Sequence, residues 1–190
     1  DVEWRGIGVG VPGFVDYARG FVHNLTNVPG WSAVPLAEML TQRFGKTARV
    51  DNDVNAMAVG ECTYGAGQAY QHAVFITLGT GVGGGLLINK ALYRGAYSLA
   101  GEIGHVSIDR NGIVSPTGRG GVEQYVGNKR IVERALQALD AGRTSRILEF
   151  AGGRREDITP KVISAAAAAG DELAGEIFDF VADCLATMMA

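Results

Sequence analysis

Cysteine is nearly absent. Cys62 and Cys184 are the only two in 190 residues, far apart and in no pattern, which excludes a disulfide framework and leaves two ordinary buried thiols suited to a reducing cytoplasm. Long apolar runs are missing as well: none approaches the roughly 20 residues of a membrane helix, and no membrane partner is expected. A basic excess is also lacking. Seventeen Lys and Arg against twenty Asp and Glu give a formal charge of −3, whereas a phosphate backbone needs a basic face, so nucleic acid is not expected as a partner of this part of the chain. There is no starting Met. The chain opens on Asp1 and runs at once into a strand, Gly6–Val11, so the expectation is a piece of a longer protein. What is present is globular: 47% hydrophobic and 19% charged residues, in a length that can bury a core as one large or two small domains.

The stretch that organises the rest is Ala73 to His105. Ala73-Val74-Phe75-Ile76-Thr77-Leu78 is an apolar, β-branched run and reads as a buried strand. Gly79-Thr80-Gly81-Val82-Gly83-Gly84-Gly85 follows, with five glycines that let backbone N–H groups approach a ligand. A second strand, Gly85–Ile88, leaves the turn. Strand, glycine turn with one hydroxyl, and strand make either a hairpin tip that holds an anion or a plain flexible hairpin.

Around it, apolar spacing at 36, 39, 40 and 44 predicts a core-packing helix stopped by Gly45. Ala48-Arg49-Val50 reads as a strand running into Asp51-Asn52-Asp53, and an Ala-rich helix continues from Val54 to Tyr64. Helices are also predicted from Asn128 to Leu139, from a Pro-containing first turn near Pro160, and from Asp171 to the end, with a charged linker or short helix over residues 143–155. Trp31 anchors the loop Asn24–Trp31. Lys90 and Arg94 read as solvated turn charges, and Asn55 as a brace of its helix. At the strand-to-helix junction, Asn52 and Asp53 suit helix capping. Glu102 and His105, three apart, face one way on a helical turn.

These words in this order resemble the ROK family of sugar kinases and sugar-responsive repressors: Gly8-Val9-Gly10-Val11-Pro12-Gly13, Asn27-Val28-Pro29-Gly30-Trp31, Asn52-Asp53-Val54-Asn55-Ala56, Leu78 to Gly85, and Ala100-Gly101-Glu102-Ile103-Gly104-His105. The resemblance implies an α/β chain with a two-lobed actin/hexokinase-like (ribonuclease H-like) fold and a central mixed sheet, incomplete at both ends. Residues 1–57 would be the latter part of the smaller lobe and 58–190 most of the larger. It implies an ATP- and Mg2+-dependent, cytoplasmic hexose kinase, glucokinase-like, with glucose the expected acceptor and a possible homodimer; the alternative is a repressor whose DNA-binding domain lies elsewhere in the parent. A kinase acting on a hydroxyl needs a carboxylate to orient it and take its proton. By resemblance this is Asp53, with Gly13, Asn27, Asn52, Glu102, His105 and Glu123 around the sugar and Gly79, Thr80, Gly81 and Gly83 at the phosphates. The family's first phosphate loop would lie upstream, so little or no kinase activity is expected of these 190 residues alone.

One departure matters. Where the family carries a cysteine-rich zinc loop, residues 111–125 contain no cysteine; Val114, Pro116 and Gly121 stand where thiolates would. A closed zinc site needs about four N or S ligands, and none is expected here, which leaves the position of Glu123 without that support.

Overall fold

The computed structural model describes residues 3–25 and 28–190. The chain divides into two compact units, Asp1–Ile76 with Gly83–Glu102, and Thr77–Val82 with Ile103–Ala190. Its strands lie in four short sheets of two or three strands among the described residues.

The first unit begins with β1 (Ile7–Val11) and an antiparallel sheet of β2 (Phe14–Asp16), β3 (Phe21–Asn24) and β4 (Ser32–Val34). α1 (Leu36–Phe44) ends where predicted: Gly45, at φ 63°, returns its N–H to the carbonyl of Thr41, the left-handed cap that glycine adopts at least cost. β5 (Ala48–Asn52) then pairs parallel with β1, placing Val50 opposite Val9 and Asp51 opposite Gly10. α2 (Asp53–Tyr64) leaves directly from β5.

Val11, Val15, Val22, Leu25 and Val50 form this unit's buried cluster, with Trp31, Val34 and Leu36 packed on it. Each such side chain removed from water contributes about 1.5–3 kcal/mol. Trp31 is thus the anchor its loop required. The expected core role of α1 is met at its start, where Leu36 and Ala37 pack on the cluster, although none of its residues is fully buried. Met39 and Phe44 are half exposed, and Phe44 instead meets the ring of Trp4 edge-on at 6.1 Å.

β6 (Ala73–Leu78), β7 (Val82–Ile88) and β8 (Ala91–Tyr93) form a sheet in that order. β6 was expected to be buried, yet no residue in it is, and Val74 remains 57% exposed. As the outer strand it has a sheet neighbour on one side only. The glycine turn is also shorter than predicted. β7 starts at Val82, so Gly83, Gly84 and Gly85 belong to the strand. Gly85 is there for close packing: a Cβ on it would stand 2.7 Å from the Cβ of Ala58 in α2. Asn89 and Lys90, at φ 53° and 62°, make the tight turn from β7 to β8.

The second unit contains a 3-10 turn at Ile103–His105, the two-residue strands β9 (Val114–Ser115) and β10 (Gly118–Arg119), and a helical body: α3 (Glu123–Val126), α4 (Asn128–Asp140), α5 (Ile147–Phe150), α6 (Pro160–Ala168) and α7 (Glu172–Met189). Ile131, Ile147, Ile163, Leu173, Ile177 and Val181 are among its buried side chains. The predicted starts of the last two helices have side-chain caps, Thr159 accepting from Val162 N–H and Asp171 from Ala174 N–H. Burial raises the pKa of both thiols, Cys62 with added repulsion from Glu61 and Cys184 with further opposing effects from Arg134 and Asp183. Cys184 is buried as expected, whereas Cys62 is only half-buried on α2. No helix among the described residues is long and apolar enough to cross a membrane.

Candidate active site

In the first unit the chemistry gathers at the β5–α2 junction. Val50 and Asp51 are buried while Asp53 is exposed, so the chain passes from core to solvent within three residues and offers a carboxylate at a helix start. Negative charge is favoured there by the helix dipole. Asn52 caps α2: its Oδ1 accepts from the N–H groups of Val54 (2.9 Å) and Asn55 (3.2 Å), and its Nδ2 donates to the carbonyl of Gly13 at 3.3 Å. An amide nitrogen has two hydrogens, so Nδ2 keeps one for a ligand. Gly13 sits at φ 120°, and a Cβ there would overlap the carbonyl oxygen of Asn24; the position requires glycine. Thus Gly13, Asn52 and Asp53 lie together. Asn27 lies outside the described residues.

Asn55 braces this junction, its Nδ2 donating to Asp51 Oδ1 at 3.1 Å. Arg94 is no solvated turn charge. Its Nε and Nη2 both donate to Asp51 Oδ2, at 3.0 and 2.6 Å, and its guanidinium lies 3.6 Å from the ring centre of Tyr17. Sequence reasoning missed this pair. A signal existed: a carboxylate following a buried valine at the end of a strand requires a cation or several donors. Glu102 is half-buried at the end of this unit, its N–H donating to Leu99 carbonyl at 3.2 Å. The unit also holds a cavity of about 630 Å³ walled by Phe14, Tyr17, His23, Arg94 and Tyr97. None of the predicted site residues among those described is on its wall.

In the second unit three predicted features come together: the Gly79–Gly81 turn, His105 and Glu123. Glu123 Oε2 accepts from Val82 N–H at 3.3 Å, and its Oε1 lies 4.0 Å from His105 Nδ1. Gly79 donates its N–H to the carbonyl of Gly81 (3.0 Å) and accepts at its own carbonyl from Asn128 N–H (2.8 Å), which pins the turn to the start of α4. What the turn presents is therefore chiefly Thr80, which is exposed. Gly83 is half-buried in β7 and is described with the first unit.

The cysteine-free loop closes on itself by hydrogen bonds. Thr117 Oγ1 lies 3.1 Å from both His105 Nδ1 and Ser115 Oγ. Tyr125 Oη accepts from Ile113 N–H at 3.1 Å and donates to Asp109 at 3.4 Å, and Arg119 donates to the carbonyl of Gly112 at 3.1 Å. Glu123 follows directly from the Ser107–Gly121 bridge. Thr117 was not foreseen; a hydroxyl two residues beyond a serine has no distinctive local signal. No three His, Cys, Asp or Glu side chains among the described residues gather as a cation site.

The chain belongs to the ROK family, whose model matches residues 2–190. The glucokinase of Thermotoga maritima is 35% identical over 184 residues, 97% of this chain and 58% of that protein. Among solved structures, a ROK-family glucokinase from Streptomyces griseus in complex with glucose and AMPPNP superposes with a TM-score of 0.81 at 35% identity, covering 96% of this chain and 59% of that one. A ROK-family transcriptional regulator, a homologue of the E. coli MLC protein, superposes with a TM-score of 0.89 at 26% identity, covering 97% and 46%. The chain spans about half the length of these relatives. It has their mixed α/β, actin/hexokinase-like fold.

Proposed function

We propose that the protein containing this chain is an ATP-dependent hexose kinase that phosphorylates a primary hydroxyl, with glucose the expected acceptor. The observation that carries the reading is the exposed Asp53 carboxylate at the head of α2, beside an Asn52 already fixed by capping, in a chain 35% identical to a glucokinase. Asp53 orients the sugar hydroxyl and takes its proton as the oxygen forms its bond to the γ-phosphorus of ATP; the bond to the β–γ bridging oxygen breaks, and ADP leaves with that electron pair. Gly13, Asn27, Asn52, Glu102, His105 and Glu123 hold the ring. Thr80 and the backbone of Gly79, Gly81 and Gly83 meet the phosphates. Magnesium is commonly held by one or two carboxylates together with substrate phosphates; when bound with the nucleotide it would supply neutralisation of the phosphate charge. Residues 1–57 are assigned to the latter part of the smaller lobe and 58–190 to the larger.

The likeness to a transcriptional regulator favours a second reading, a sugar-responsive repressor using the same pocket to sense. A panel of glucose, mannose, fructose and N-acetyl hexosamines with ATP and the whole protein separates them. The kinase reading expects ADP and hexose phosphate in equal amounts with glucose; sugar binding without ADP from any member of the panel would overturn it in favour of the repressor.

A further inference from the structure

We propose that Asp51 and Arg94 are positioning residues, a buried latch that fixes the Asn52–Asp53 turn and the segment leading to Glu102 as one body; this rests on the kinase reading for its effect on turnover, but its structural part does not. Four donors converge on the one carboxylate of Asp51, which is only 8% exposed. Oδ1 accepts from Asn52 N–H at 2.9 Å and from Asn55 Nδ2 at 3.1 Å. Oδ2 accepts from Nε and Nη2 of Arg94. One oxygen therefore serves the turn that carries the base, and the other serves a residue 43 positions away.

Arg94 is in turn the root of the next segment. Its carbonyl accepts from Ala100 N–H at 3.1 Å, closing residues 94–100 into a loop. Gly101 abuts the carbonyl of Gly84, where a Cβ would overlap it, and Glu102 follows. The Arg94 side chain has little freedom: it is stacked on Tyr17 and forked onto Asp51. A planar fork in this geometry sets an orientation that a lysine point charge does not. Because Asp51 is buried, with Arg94 partly so, removing Arg94 leaves the carboxylate without its cation, and the two segments respond together.

The test uses the whole protein and Asp51→Asn, Arg94→Gln and the double variant. Each single change is expected to lower kcat with glucose by about ten- to a hundredfold, as misplacement of a reacting group does, with KM for ATP changed by less than about twofold. The double variant should be no slower than the slower single one. Amide hydrogen exchange should quicken in residues 52–55 and 95–102 in both single variants while α6 and α7 keep their protection. Losses of kcat that multiply independently, or faster exchange confined to one of the two segments, would overturn the latch. Should the wild-type protein lack turnover, the kinase reading fails, and the exchange arm alone decides the latch.

Discussion

Replacing Gly81 by alanine separates the stability of the glycine turn from its part in the site. A Cβ at this position would overlap Oε2 of Glu123, the far end of a side chain that can rotate away. Gly81 is not among the positive-φ glycines, so alanine fits the backbone and removes freedom from the unfolded chain, worth about 0.4–1 kcal/mol in favour of folding. Against this, Val82 N–H loses its 3.3 Å bond to Glu123, worth about 0.5–1.5 kcal/mol. The two nearly cancel, and Tm should move by no more than about 4 °C. Glu123, however, is displaced from its place beside His105. A charged hydrogen bond to a sugar hydroxyl is worth about 1.5–3 kcal/mol, so kcat/KM for glucose should fall by about ten- to 150-fold. A coupled assay for ADP beside a thermal melt of the same sample reads both. Full activity in a folded variant would show that the position of Glu123 does not matter; a Tm lower by more than about 10 °C would show that the backbone, rather than the side chain, had to yield.

Two further outcomes follow from the second unit. Thr117→Val removes the hydroxyl 3.1 Å from His105 Nδ1 and should raise KM for glucose by about three- to tenfold, with kcat changed less; titrating both constants checks this. Asp171→Asn should destabilise the protein by about 2–4 kcal/mol near neutral pH in chemical denaturation, since the carboxylate accepts from Ser145, Arg146 N–H and Ala174 N–H. Burial pushes its pKa up, but those bonds and the Arg146 charge outweigh burial and hold it below the usual value. A depressed folded pKa stabilises above the unfolded pKa of about 3.9 and ceases to do so as pH falls through the folded one, so the gap between wild type and variant should narrow only in that acid range.

Local signals in the sequence carried the helix ends well. Gly45 stops α1 and Thr159 with Pro160 starts α6 because caps act through neighbouring backbone groups. The glycine run misled at its far end because glycine marks both a turn and a close approach. Gly79–Gly81 is the former, whereas Gly85 is the latter, made necessary by Ala58, 27 residues away in sequence. β6 reads as core from its composition, but its place at the edge of a sheet depends on strand order, which no local pattern encodes. The Asn52–Asp53 junction was legible through its motif. Its support by Arg94 was not, because a pair separated by 43 positions leaves only the unmet need of a buried carboxylate as a trace.

The central claim is that the Asp53 carboxylate takes the proton of a sugar hydroxyl during phosphoryl transfer. Asp53→Asn in the whole protein keeps the shape and removes the base. Turnover of ATP with glucose should fall by about a hundred- to ten-thousandfold, while glucose affinity measured by calorimetry stays within about threefold. Unchanged turnover in that variant would contradict the account.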